Sequence, residues 1–210
     1  MRINLANQLT LLRLALIPFF LVFTINDNVY TRITALIIFV IASLTDFYDG
    51  HIARRRNMVS TLGTFLDPLA DKLLISAAFV AFVEIPEIHV PAWMVVLIIG
   101  REFLITGLRT LAISYGRVLP AQPAGKFKTT SQLVAIIMTL IILCANSLFE
   151  KMTGAPVSRY LAEPGSEGVL AWMLKGGPYW LTFVTTVLTI VSGFIYLKDN
   201  VDLLNDQETR

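Results

Sequence analysis

Six stretches of about twenty residues, near 6–25, 31–50, 63–85, 91–113, 129–149 and 178–197, are almost continuously apolar, and they dictate the solvent this chain folds in. A bilayer's hydrocarbon core is about 30 Å thick and takes roughly 20 apolar residues per helical crossing. The overall composition agrees: 55% of the 210 residues are hydrophobic, 15% are charged, and the mean hydropathy is +0.68. A soluble domain of this size is excluded by those values. The expected fold is all-α, a polytopic membrane protein with six transmembrane helices forming a single domain over residues 1–210. The first run is read as a span rather than a secretory leader. It carries Arg13 and Pro18 and is followed by Thr-Ile-Asn-Asp-Asn instead of a small-residue cleavage site. The only long segment without a span is 150–177, rich in Gly, Pro and charge, with an interfacial turn expected around 169–174. The polar tail KDNVDLLNDQETR is expected to extend the last helix or fray.

An even number of spans places both termini on one side, and basic residues near the span ends mark that side. Arg2, Arg54, Arg55, Arg56, Arg109, Arg117, Lys126, Lys128, Lys198 and Arg210 fall on the side of the termini, whereas the other side has Arg32, Lys151, Arg159 and Lys175. Both termini are therefore expected in the cytoplasm. The net charge of +2 carries little information, and nucleic acid is not an expected partner. Cys144 is the only cysteine and sits in the fifth run, which fits a packed thiol and rules out a disulfide within one chain.

Acidic side chains inside apolar spans cost about 2.5–3.5 kcal/mol each on insertion scales, so they are functional candidates by default. Residues 46–71 read DFYDGHIARRRNMVSTLGTFLDPLAD and place four of them in two pairs. Asp46 and Asp49, three apart, share a helix face at the end of the second span; Asp67 and Asp71, four apart, share one at the start of the third. The short connection makes the two helices antiparallel neighbours, which lets all four carboxylates converge just below the cytoplasmic surface. Positive charge must then hold them ionised. Arg54, Arg55, Arg56 and Lys72 are available, and so are bound cations. An all-oxygen donor set favours Mg²⁺, Mn²⁺ or Ca²⁺, and a pair of ions could clamp a diphosphate. Gly50, Ala53 and Gly63 keep the backbone open beside the acids, either to a ligand or to a neighbouring helix. Pro68 either opens the third helix, with Asp67 as its cap, or lies within a span that tolerates it.

The pattern D-x-x-D-G-x-x-A-R, eight residues, then G-x-x-x-D-x-x-x-D resembles the signature of the CDP-alcohol phosphatidyltransferases. It is complete here as Asp46, Asp49, Gly50, Ala53, Arg54, Gly63, Asp67 and Asp71. That resemblance implies a six-helix homodimeric enzyme of a bacterial cytoplasmic membrane, with a cytoplasm-facing cavity for CDP-diacylglycerol. It implies that Asp46, Asp49 and Asp67 are the main ligands of two Mg²⁺ or Mn²⁺ ions, and that Asp71 lies near the metals and acts as the base. Gly50, Ala53, Arg54 and Gly63 would line the CDP-diacylglycerol site. Asn7, Thr10 and Arg13 in NQLTLLR are similar to the family's early polar positions near the nucleotide.

A second charged set follows. The stretch REFLITGLRTLAISYGRVLPAQPAGKFKTTSQ resembles the family's bacterial phosphatidylglycerophosphate synthases, a subgroup whose acceptor is glycerol 3-phosphate. Its phosphate would be met by Arg101, Arg109, Lys126 and Lys128. Membrane topology by itself also explains basic residues in this region, and Arg101 could instead pair with Glu102 or with an Asp. His51 and His89 read as an interfacial and a loop residue. Two competing functions remain: the same transfer to inositol phosphate, serine or phosphatidylglycerol, and a small cation transporter. The transporter predicts acids spread through the membrane depth, whereas these cluster at one face beside a basic loop.

Overall fold

A computed structural model describes the backbone of residues 5–56, 61–114, 123–160 and 169–200. Within those ranges the side chains of 5–7, 46–56, 61–68, 71, 114, 123–126, 158, 160, 169–172 and 175 are outside the described residues. The described chain is helical: α1 (Leu5–Ile25), α2 (Val29–Arg56), α3 (Thr61–Glu84), a 3-10 turn (Pro86–Ile88), α4 (Ala92–Ser114), α5 (Pro123–Thr153), a single turn α6 (Val157–Tyr160) and α7 (Val169–Asp199). Each of the six apolar runs falls in one long helix. Among the described residues, Gln8–Ile25, Phe127–Thr153 and Gly176–Asp199 are long and apolar enough to cross a membrane, and Val29–Thr45 is a shorter apolar segment. In α4 every stretch of 18 residues contains Arg101, Glu102 and Arg109, so that helix falls short on charge rather than on length.

Helix ends follow local chemistry. The Asn28 side chain accepts a hydrogen bond from the Tyr30 amide at 2.9 Å and caps α2. Gly154, at φ 76°, closes α5, its amide reaching the Glu150 carbonyl at 2.8 Å. His89 is a loop residue, as the sequence indicated, in the left-handed region at φ 49°. Pro68 lies inside α3, because the helix already starts at Thr61; Asp67 is thus a mid-helix residue and not a cap. The expected interfacial turn at 169–174 is the opening of α7 itself. That segment, VLAWML, includes the good helix formers Leu, Ala and Met, and Pro178 lies inside α7 without ending it.

Packing turns the usual pattern inside out. Phe20, Phe39, Phe79, Phe82, Ile98, Ile136 and Leu143 from α1 to α5 are buried together, with the Phe20 and Phe39 ring centroids 5.7 Å apart. Phe19, Val22, Ile37, Val96 and Phe194 face outward, as expected where lipid replaces water. Helix α1 packs against α2 and α3, α5 against α7 and α2, and α4 against α7 and α3. Close approach of α5 and α7 depends on Gly177, where a Cβ would come within 3.1 Å of Ile142 Cδ1. In α7, Thr182, Thr185, Thr186, Thr189 and Ser192 form a buried hydroxyl face at helical spacing, opposite exposed Val184, Val187, Val191 and Phe194.

One end of the bundle is fastened by Arg32, 2% exposed at the start of α2. Its Nη2 lies 2.8 Å from both Asp27 Oδ1 and Glu87 Oε1, and its Nη1 donates to Glu87 Oε2 at 3.2 Å and Ser147 Oγ at 2.7 Å. One guanidinium thereby joins the α1–α2 turn, α2, the 3-10 turn and α5.

Candidate active site

The four acids lie at the opposite end from Arg32. Helix α2 runs for 28 residues, about 42 Å at 1.5 Å per residue, which exceeds the hydrocarbon core. Asp46 follows directly on the apolar segment Val29–Thr45, and Asp49 is three residues further along unbroken helix. Asp67 and Asp71 are likewise in continuous helix in α3, four apart. The two helices are joined through residues 57–60, a link that spans at most roughly 19 Å, and both pack against α1. The backbone thus gives each pair a common face. The side chains of Asp46, Asp49, Gly50, Ala53, Arg54, Gly63, Asp67 and Asp71 are outside the described residues, as is that of Asn7. Among the described residues no three His, Cys, Asp or Glu side chains gather to hold a metal ion. Thr10 and Arg13, one turn apart on α1, are both 3% exposed and so face protein rather than lipid.

Helix α4 carries the polar junction that is described in atomic detail. Lys72, next to Asp71 in α3, donates to Thr106 Oγ1 on α4, whose hydroxyl donates in turn to the Glu102 carbonyl at 2.7 Å. The Lys72 ammonium, read from the sequence as a source of positive charge for the acids, thus ties α3 to α4. Glu102 is the centre of the junction. Its Oε1 receives Lys128 Nζ and, at 3.4 Å, Gln132 Nε2, both from one face of α5. Lys128 is 5% and Gln132 1% exposed, so the Lys128–Glu102 ion pair and the amide beside it are shielded from water.

Arg101 points the other way, towards α7. Its Nη2 donates to Ser192 Oγ at 2.9 Å, while its Nη1 is 3.7 Å from Glu102 Oε1. The expected pairing with Glu102 therefore exists only as a loose contact, and the hydroxyl is the closer partner. Arg109, two turns along α4, places its guanidinium carbon 5.9 Å from the centre of the Tyr196 ring. Arg101, Arg109 and Lys128 thus belong to one polar region between α4, α5 and α7. Lys126 lies in the first turn of α5 with its side chain outside the described residues. Glu102 was weighed in the sequence only as a partner for Arg101; an acid in an apolar run is the signal that marks it. Gln132, Ser192, Gly193 and Tyr196 carry no such signal, since their partners are far away in sequence.

With this geometry established, known proteins can be compared. The profile of the CDP-alcohol phosphatidyltransferase family matches residues 3–160. The chain is 43% identical over 150 residues to the CDP-diacylglycerol–glycerol-3-phosphate 3-phosphatidyltransferase of Bacillus subtilis (strain 168), covering 66% of this chain and 77% of the relative. It is 32% identical over 198 residues to the protein of that name from Rickettsia bellii (strain RML369-C), covering 93% and 94%. It is also 37% identical over 178 residues, 77% of this chain and 84% of the relative, to a probable phosphatidylglycerophosphate synthase of Mycobacterium tuberculosis (strain CDC 1551 / Oshkosh). An all-helical, membrane-embedded architecture and a match across three quarters of its length make this chain a member of the CDP-alcohol phosphatidyltransferase family.

Proposed function

We propose that the chain transfers the phosphatidyl group of CDP-diacylglycerol to glycerol 3-phosphate, yielding phosphatidylglycerophosphate and CMP. The observation that carries this reading is similarity along 93% of the chain to a relative named for that reaction. The local chemistry supports it: two acid pairs in continuous helix, and a basic region with buried Lys128 that suits a phosphorylated acceptor.

Members of the family use divalent metal ions. The donor set fits such ions, because carboxylates on helical faces at i, i+3 and i, i+4 offer hard oxygen ligands from two helices. We assign Asp46, Asp49 and Asp67 as the ligands of two Mg²⁺ or Mn²⁺ ions, with Asp71 beside them. When bound, the metal neutralises the diphosphate and the charge that develops on the departing CMP. Asp71 accepts the proton of the acceptor hydroxyl, whose oxygen attacks the β-phosphorus bearing diacylglycerol. The anhydride bond to CMP breaks, and its electron pair leaves with CMP. Asn7, Thr10 and Arg13 on α1, with Gly50, Ala53, Arg54 and Gly63, hold the cytidine diphosphate portion. Arg101, Arg109, Lys126 and Lys128 take the acceptor phosphate and align its hydroxyl, the main protein contribution to a transfer of this kind.

The basic residues near the helix ends support six crossings, with both termini and the site in the cytoplasm at a bacterial inner membrane. The chain acts as one domain, and the working unit is a homodimer. Purified protein supplied with CDP-diacylglycerol, Mg²⁺ and each of glycerol 3-phosphate, serine, inositol phosphate and phosphatidylglycerol tests the acceptor. CMP release with glycerol 3-phosphate alone is expected; turnover with one of the others and none with glycerol 3-phosphate would overturn the assignment.

A further inference from the structure

The cations of α4 are placed by contacts that come from α7, a helix that lies beyond the matched family segment. Arg101 sits at the tenth position of the 23-residue α4, deep enough that an unsupported cation costs about 2.5–3.5 kcal/mol. Its support is a groove on α7. At Gly193 a Cβ would stand 3.0 Å from Arg101 Cγ and 3.4 Å from Arg101 Nε, so the side chain lies directly on the α7 backbone. Ser192, 5% exposed, accepts the Nη2 hydrogen bond. One turn on, Tyr196, 3% exposed, presents its ring to Arg109. Ser192 and Tyr196 are four apart on one helix face, whereas Arg101 and Arg109 are eight apart on α4, so the two long side chains converge as they reach α7.

Two arginines brought onto one face of α7 offer paired cationic forks to an anion. Among the described residues, Arg101 and Lys128 both face the Glu102 carboxylate, Lys128 the more closely. Arg101 also keeps its Nε buried without a hydrogen-bond partner. A planar guanidinium seated beside a second one on the same face of α7 suits the oxygens of a phosphate dianion.

We infer that Ser192, Gly193 and Tyr196 of α7 are positioning residues for the acceptor phosphate, holding the Arg101 and Arg109 side chains where they take it. This rests on the acceptor reading above. The test compares the unaltered full-length enzyme with Gly193→Ala, Ser192→Ala, Tyr196→Leu and Tyr196→Phe, in detergent micelles containing CDP-diacylglycerol and Mg²⁺. Gly193→Ala and Tyr196→Leu are expected to raise KM for glycerol 3-phosphate by about fivefold or more while KM for CDP-diacylglycerol stays within about twofold. Tyr196→Phe keeps the aromatic face and is expected to recover most of what Tyr196→Leu loses; Ser192→Ala should give a smaller shift in the same direction. If Gly193→Ala fails to fold, Tyr196→Leu and Ser192→Ala decide the matter. An unaltered enzyme active on glycerol 3-phosphate, with variants whose KM for it is unmoved or whose two KM values rise together, would overturn the α7 seat and leave the acceptor assignment intact. An unaltered enzyme that does not use glycerol 3-phosphate would overturn both.

Discussion

The two ends of this bundle treat buried arginine differently. Arg32 spends its donors on Asp27, Glu87 and Ser147, and its charge is opposed by two carboxylates. Arg101, 12% exposed against 2% for Arg32, has one close hydroxyl partner and a carboxylate only at 3.7 Å, while the Nε of both guanidiniums is buried without a partner. A cation whose charge is opposed by two carboxylates holds elements together, because it has little attraction left for a further anion. A cation that is under-supplied is held ready for a ligand, and the protein accepts lower stability there. The described structure therefore separates a fastening end from a reacting end.

The largest effect that would break this division concerns the reacting end. Asp71→Asn is expected to lower kcat by about 10³ to 10⁴, some 4–5.5 kcal/mol in the barrier, with CDP-diacylglycerol affinity and unfolding nearly unaltered. Asp49→Asn is expected to weaken metal-dependent CDP-diacylglycerol binding as well. Binding measurements that show equal loss of affinity in both variants would remove the separate base. Next in size is Arg32→Ala, expected to cost about 3–5 kcal/mol in denaturant unfolding because Glu87 and Ser147 lose their shared partner. Its activity at low temperature should survive; a variant that unfolds normally but is inactive would assign Arg32 to the reaction instead. Glu102→Gln lies between the two types. Lys128 would lose its counter-charge at a cost of about 2 kcal/mol, and saturating glycerol 3-phosphate should restore part of that stability by binding preferentially to the folded state. No such rescue is expected for Arg32→Ala, and its absence in Glu102→Gln would place both clusters in the fastening class.

The sequence was informative where a residue contradicts its own surroundings. Four Asp at the edges of apolar runs, and Arg101 and Glu102 within one, stand out because charge in hydrocarbon is costly whatever the fold. The apolar runs were legible for the same reason, and each lies largely within one long helix, three of them long and apolar enough to cross a membrane among the described residues. What the sequence does not disclose is partnership. Ser192, Gly193 and Tyr196 read as ordinary residues of an apolar helix, and only the packing of α7 on α4 gives them a cation to hold. Arg32 was counted in the sequence as one of the few basic residues on its side, yet its partners at 27, 87 and 147 lie on three separate segments. Helix starts were left open: the Asp67-Pro68 pair fitted either a helix start or a position within a span, and α3 starts six residues before Asp67, which settles it as the second. Likewise α7 starts nine residues before Pro178, since packing overrides the local breaker.

The smallest predicted effect sharpens the account of the fastening end, because it asks which of Arg32's two carboxylates matters. Asp27 is 64% exposed and Glu87 35%, so water screens the Asp27 contact more. Partial burial pushes the Asp27 carboxyl above its ordinary value of 3.8, and neighbouring Glu87 and Glu150 add to that, against the pull of Arg32. A carboxyl that binds its proton more tightly when folded contributes stability that is complete below pH 3.8 and is lost as the pH rises through the raised folded value. At neutral pH the charged form is therefore a slight burden despite the ion pair. Asp27→Asn, which resembles the protonated acid, is expected to match or exceed the unaltered chain by less than about 0.5 kcal/mol at pH 7. The difference should close as the pH falls towards 4 in denaturant titrations. A loss above about 1 kcal/mol at pH 7 would mean that Asp27, and not Glu87 alone, carries the clamp.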